Sequence, residues 1–212
     1  QQKYNEYVAQ YEEFLQFPRT TPIESIDQNY LYVIRNAFYY DYVARLDANG
    51  SVYPSKVVSG SKIPSNALWY VVKANNAIYI INKAGDKGTA VYPVREGATV
   101  NTVDVAHSAS RYAWQARTAT TTNGRSGMSI VDESGRFGWF AQPANFKTIV
   151  LKPARQNGGV WTFEKTDFTV GIQQVRANAA KVSGQRYDLL GRPAGAEYHG
   201  IVIEGDGTKH VR

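Results

Sequence analysis

Ser129-Ile130-Val131-Asp132-Glu133-Ser134-Gly135 lies over Tyr79-Ile80-Ile81-Asn82-Lys83-Ala84-Gly85 and over Ala44-Arg45-Leu46-Asp47-Ala48-Asn49-Gly50. Each stretch carries an aliphatic residue, then Asp or Asn, then Gly three positions on. The Gly that ends each stretch follows an aromatic strand start, Tyr30, Trp69 or Trp114, by roughly 16 to 21 residues. Downstream of each Gly comes a short β-branched run: Lys56-Val57-Val58, Thr89-Ala90-Val91-Tyr92 and Lys147-Thr148-Ile149-Val150-Leu151. Trp69, Trp114 and Trp161 recur at separations of 45 and 47 residues. Agreement of several columns in the same order reads as an internal triplication, with one supersecondary unit per repeat.

From Tyr30 to about Phe168 the units read as short strands separated by Gly, Asn, Asp, Ser and Pro turns. Leu31–Arg35, Trp69–Lys73 and Trp114–Thr118 are expected as the first strands of the three units. Asn75-Asn76 and Asn123-Gly124 are expected hairpin turns, because Asn and Gly tolerate the positive backbone angle that such turns demand. About four strands per unit makes about twelve, and closing them into a barrel with a hairpin cap removes the exposed edges of an all-β chain. A large aromatic once per repeat is what three-fold packing at a barrel base calls for. Burying each tryptophan stabilises by roughly 2 to 3 kcal/mol.

Three regions follow: residues 1–29, residues 30–168 and residues 169–212. In the first, Tyr4, Tyr7, Val8, Tyr11, Phe14 and Leu15 recur at three- and four-residue spacing among acidic and amide residues, which predicts an amphipathic helix ended by Phe17-Pro18. Its aromatic face is expected to dock on the main domain, the alternative being a partner interface. The net charge of +6 is uneven, with −3 over residues 1–29, +8 over 30–160 and +1 over 161–212. The basic residues of the repeats stand singly in turns, whereas nucleic-acid footprints concentrate charge on one face, so no nucleic-acid partner is expected. An anionic glycan or a negatively charged cell surface suits this charge better.

With the Trp-bearing repeats and the aliphatic-Asp/Asn strands in place, the chain resembles the β-trefoil of ricin-type lectins over about two thirds of its length. The Gln-x-Trp signature of that family is degraded: Ser65–Trp69, Ser110–Trp114 and Gly158–Trp161 keep the Trp and lose the Gln. The resemblance implies an all-β, β-trefoil fold of three repeats, flanked by the N-terminal helix and a small C-terminal β-strand appendage. It also implies carbohydrate sites at Asp47, Asn82 and Asp132, where lectin trefoils place the group that accepts hydrogen bonds from sugar hydroxyls. A usable site needs an exposed aromatic ring beside that group. The expected pairs are Asp132 with Trp139, assisted by Arg136 and Gln142, then Asp47 with Tyr53 and Asn82 with Tyr92. The competing reading is ordinary turn chemistry, in which the Asp or Asn side chain bonds backbone amides before the Gly.

Gln185-Arg186-Tyr187-Asp188-Leu189-Leu190-Gly191-Arg192-Pro193, then Gly200-Ile201-Val202-Ile203 and a basic end, resemble the C-terminal segment of many exported Bacteroidetes proteins. That resemblance implies a type IX secretion-like sorting role and a secreted or cell-surface location. Read from the residues alone, the segment is two or three antiparallel strands.

Catalytic chemistry finds little support. His107, His199 and His210 have no metal-ligand spacing, cysteine is absent, and Gly124–Gly127 lacks the Lys-Ser/Thr pair of a phosphate loop. No carboxylate pair is marked for glycosidase work. No run approaches the roughly 18 apolar residues of a membrane span, and no apolar signal segment stands at the start. The expectation is a non-catalytic, cofactor-free and metal-free carbohydrate-binding module of an exported bacterial protein, whose partner is a glycan or polysaccharide. The alternative is a protein-interaction or structural module, with another surface protein as partner.

Overall fold

A computed structural model of the chain describes residues 22–57, 62–74, 77–84, 87–104, 113–144, 147–169, 186–188, 193–195, 201–204 and 209–211. The helix expected over residues 1–17 and the turn expected at Asn75-Asn76 lie outside these. The described residues form strands joined by turns and three short 3-10 segments. The strands are β1 (Tyr30–Asn36), β2 (Tyr42–Leu46), β3 (Val52–Lys56), β4 (Trp69–Ala74), β5 (Ala77–Asn82), β6 (Lys87–Ala90), β7 (Asn101–Asp104), β8 (Gln115–Thr120), β9 (Ser126–Val131), β10 (Phe137–Phe140), β11 (Val150–Pro153) and β12 (Trp161–Thr169). A separate three-stranded sheet comprises β13 (Arg186–Tyr187), β14 (Ile201–Glu204) and β15 (Lys209–Val211).

Six strands close into a barrel. β1 pairs with β4, β4 with β5, β5 meets β8 at Ile78 and Trp114, β8 pairs with β9, β9 with β12, and β12 returns to β1. The first and last strands of each four-strand unit meet alike: Tyr32 faces Trp69, Ile78 faces Trp114 and Met128 faces Trp161. Two residues on, Ile34, Ile80 and Ile130 point inward and are fully buried. The remaining strands form three hairpins, β2–β3, β6–β7 and β10–β11, that cap one end. At their centre Val52 N donates to Val100 O (2.9 Å), Val100 N to Ile149 O (2.8 Å) and Ile149 N to Val52 O (2.7 Å). This closed triangle leaves no edge amide unpaired at the cap's centre.

The tryptophan indoles obey the same pseudo-three-fold. Trp69 Nε1 donates to Ala44 O (3.0 Å), Trp114 Nε1 to Thr89 O (3.1 Å) and Trp161 Nε1 to Trp139 O (3.1 Å). Each buried indole thus ties the strand that ends a unit to that unit's own hairpin and satisfies its polar edge. The architecture is the β-trefoil that the resemblance implied. Its units, however, run β1–β4, β5–β8 and β9–β12. The Trp-led strands therefore end units rather than begin them, and only Leu31–Arg35 lies in an opening strand. The aromatic starts misled because Tyr30 opens β1 whereas Trp69 and Trp114 stand at the closing strands.

The barrel's outer wall differs from unit to unit. Where β12 pairs with β1, Arg35 and Glu164 form a salt bridge of 2.6 Å. At β8–β9 the matching residues are Arg117 and Val131, and at β4–β5 they are Val72 and Ile81. Val72, Tyr79, Ile81 and Ala90 are covered by Ile201 and Ile203 of β14, with Ala77 and Ala113 at the margin. The all-apolar run Ile78–Ile81 is explained by burial on both faces. Ile203→Ala should cost about 2–3 kcal/mol in the denaturant unfolding of the whole chain. An unchanged midpoint would mean that the C-terminal sheet contributes nothing to the trefoil.

Candidate functional site

The expected pair of Asp132 and Trp139 is not assembled as a sugar site. Trp139 is 0% exposed. Its ring packs edge-on against Trp114 (5.6 Å between centroids) and Trp161 (6.2 Å), filling the core where the first two units place Ala44 and Thr89. The expectation of an exposed stacking ring is therefore corrected, since Trp139 faces inward between Gly138 and Phe140 at the base of the trefoil. Asp132 is 7% exposed and its oxygens are occupied. Oδ1 accepts from Phe137 N (2.7 Å), while Oδ2 accepts from Ser134 N (3.1 Å) and from the Ser134 hydroxyl. This is the turn chemistry of an Asp placed before Gly135, whose positive φ of 70° completes the turn.

The equivalence of Asp47 with Asn82 and Asp132 is also corrected. The register places Asn36, Asn82 and Asp132 together, each at or just past the end of an opening strand. Asn36 Nδ2 donates to Gly158 O (2.9 Å) and Asn82 Nδ2 to Asn66 O (2.9 Å), three residues before Trp161 and Trp69 respectively. Their Oδ1 atoms accept from Tyr39 N (2.8 Å) and Ala84 N (2.9 Å). Both amides are spent on the junction between units. Asp47 instead caps the β2–β3 hairpin, accepting from Asn49 N and Ser51 N at 2.8 Å each. Two different Asx turns share the pattern aliphatic-Asp/Asn-x-x-Gly, which is why the sequence alignment merged them. Tyr53 sits across β2 from Arg45, whose guanidinium lies 5.8 Å from its ring. Arg136 is exposed and its guanidinium lies 5.5 Å from the Phe137 ring.

One candidate does stand at an open site. Tyr92, joined to Pro93 by a cis peptide, is 80% exposed just beyond β6. It lines a cleft of about 510 Å³ with Val91, Val94, Ala113, Trp114 and the turn Asp132-Glu133-Ser134. The structure thus brings together Tyr92 and Asp132, which the sequence placed in different sites, and adds Glu133, which it passed over. The turn is held from behind: Gln115 Nε2 donates to Glu133 O (3.2 Å), and Arg117 donates to Gln115 Oε1 (2.8 Å) while packing against Gly135. Glu133 and Ser134 are exposed, and the Glu133 carboxylate makes no ion pair among the described residues.

The trefoil explains why its three equivalent junctions differ. Three residues beyond each indole's acceptor stand Asp47, Tyr92 and Gln142, and the turns of the following units offer Lys83-Ala84, Glu133-Ser134 and Ala37-Phe38. An aromatic ring meets a carboxylate and a hydroxyl only at the junction of the second and third units. Among the described residues no group of three His, Asp or Glu side chains could hold a metal ion, and no helix is long and apolar enough to cross a membrane.

These features define a β-trefoil with an aromatic, acidic cleft among its described residues, and solved structures share that fold. The chain is similar to a β-trefoil named BEL, with a TM-score of 0.53 at 10% identity over 66% of this chain and 96% of that one. A Macrolepiota procera ricin B-like lectin in complex with lactose matches with a TM-score of 0.52 at 13% identity, over 66% of this chain and 99% of the other. A Polyporus squamosus lectin bound to Neu5Acα2-6Galβ1-4GlcNAc matches with a TM-score of 0.52 at 15% identity, over 66% of this chain and half of the lectin. No family model and no curated protein matches the chain.

Proposed function

We propose that the chain is a non-catalytic carbohydrate-binding module whose glycan lies in the cleft between the second and third units. The observation that carries this reading is the exposed Tyr92 ring opposite Glu133 and Ser134. A pyranose offers an apolar C–H face to such a ring, and its hydroxyls donate to the Glu133 carboxylate and to Ser134 Oγ, whose own proton is held by Asp132. Likeness to lectin trefoils supports the choice of ligand class. A glycan array identifies the ligand, and titration of the selected glycan tests the site. Tyr92→Ala should weaken binding roughly thirtyfold, about 2 kcal/mol of ring burial, with no change in melting temperature. Unchanged affinity in that variant would remove the cleft from the account.

Val94, 48% exposed beside Tyr92, favours a second reading in which the same rim contacts another surface protein. An array without signal, together with capture of a defined protein that Tyr92→Ala abolishes, would decide for it. We further propose that the protein is exported and that the segment over residues 169–212 serves in sorting. The resemblance of Tyr187-Asp188-Leu189-Leu190-Gly191-Arg192 to exported bacterial proteins supports this. Retention inside the cell on replacing this segment would support it, and unchanged export would oppose it.

A further inference from the structure

We infer that Glu133 sets the charge of the ligand: the cleft takes uncharged or amino saccharides and rejects sugar acids, an inference that rests on the glycan-binding reading above. The chain as a whole suggests the reverse, since it carries a net charge of +6. The local inventory is acidic. Among the described residues lining the cleft, Asp132 and Glu133 carry the only formal charges, and both are negative. Arg117, on the strand behind the turn, directs its guanidinium to Gln115 and Gly135 and forms no ion pair with Glu133.

The Asp132 carboxylate is committed to its turn, so the group that reaches a ligand is Glu133. A carboxylate has acceptors and no donors. It therefore bonds hydroxyls or an ammonium and repels a second carboxylate or a sulfate. Tyr92 reinforces the same sign, because the face of an aromatic ring attracts cations and disfavours anions. At physiological ionic strength charges beyond about 8 Å are screened, so distant basic residues count for little, while Arg117 at Gly135 spends a guanidinium N–H on Gln115 rather than on the cleft carboxylates.

The test is an array carrying neutral, amino, uronate, sialylated and sulfated glycans, read at physiological salt with the parent, Glu133→Gln, Glu133→Lys and Tyr92→Ala. Glu133 is exposed, so both of its variants are expected to fold, and their melting curves verify this. The parent should bind neutral and amino glycans. Glu133→Gln should narrow the preference for amino over acidic glycans about five- to tenfold, the worth of one nearby charge in an open site. Glu133→Lys should reverse it. Acidic glycans leading the parent's profile, or an order of preference untouched by Glu133→Lys, would overturn the inference while leaving glycan binding in place. A parent blank on every spot would instead remove the glycan reading itself, and this inference with it.

Discussion

Trp139→Ala is expected to lower the unfolding free energy by about 3–5 kcal/mol, a large share of the roughly 5–15 kcal/mol that holds an ordinary domain folded. The indole is fully buried between Trp114 and Trp161, so truncation opens a cavity at the trefoil base where the first two units carry the small Ala44 and Thr89. Neighbouring strands cannot collapse into it, because the Trp139 backbone carbonyl holds the Trp161 indole at 3.1 Å. A companion variant separates volume from polarity. The Trp139 Nε1 atom is buried without a hydrogen-bond partner among the described residues, whereas Trp161 Nε1 is bonded. Trp139→Phe discards an unpaired donor and should cost clearly less than Trp161→Phe, which leaves the Trp139 carbonyl without its indole. Equilibrium denaturation of the three variants checks this. A Trp139→Ala protein as stable as the parent would show that the ring is not part of the core.

Glu164→Ala should be comparably damaging, by about 3–5 kcal/mol, because it strands a buried guanidinium. The Arg35 and Glu164 side chains are only 13% and 11% exposed and meet at 2.6 Å. Arg35 also donates to Tyr40 O (3.0 Å), and the Tyr40 ring lies 4.9 Å from Arg35 and 5.2 Å from Arg125. Burial, aided by the Glu164 charge, pushes the Tyr40 phenol up to about 12. Burial likewise pushes the Glu164 carboxyl above the usual carboxylate range, outweighing the opposing Arg35 bond. The two partners then differ in their response to pH. Arg35→Met leaves a buried carboxyl that keeps its proton in the folded state to a higher pH than in the unfolded chain. Its stability deficit should therefore shrink as pH falls below that raised value and grow as pH rises through it. The deficit of Glu164→Ala should change the opposite way and shrink as pH rises, because the parent's raised Glu164 carboxyl loses its stabilising contribution there. The variant has no such group, and its guanidinium does not give up a proton in this range. Parallel pH profiles for the two variants would contradict this description of the pair.

The triplication was legible because Trp69, Trp114 and Trp161 serve one purpose in each unit, and a side chain of that size admits few substitutes. The phase of the repeat was not, since strands that open and close a unit both begin with aromatic residues. The decisive column is the less conspicuous one, Ile34-Arg35-Asn36, Ile80-Ile81-Asn82 and Ile130-Val131-Asp132, in which the isoleucine fills the barrel, Asn36 and Asn82 brace the junction with the preceding unit and Asp132 closes its own turn. The burial of Trp139 could have been read from spacing. Ala44 and Thr89 each precede a repeat Trp by 25 residues, and Trp139 precedes Trp161 by 22. The cleft was not legible, because Tyr92 and Glu133 belong to different units and lie 41 residues apart in the chain. A search within one hairpin's reach of each carboxylate cannot pair them. Only the pairing of β8 with β9, Gln115 facing Val131, together with the Trp114 indole bonded back to Thr89, brings the two loops side by side.

The central claim, that glycan is held at Tyr92, is tested most directly by following the tyrosine ring resonances while the strongest array glycan is titrated in, with Tyr92 assigned by comparison with Tyr92→Ala. The account predicts a saturable shift of the Tyr92 ring signals that tracks binding, while the buried Trp139 indole stays where it was. A glycan that binds and leaves Tyr92 unmoved while shifting residues of another unit would contradict it.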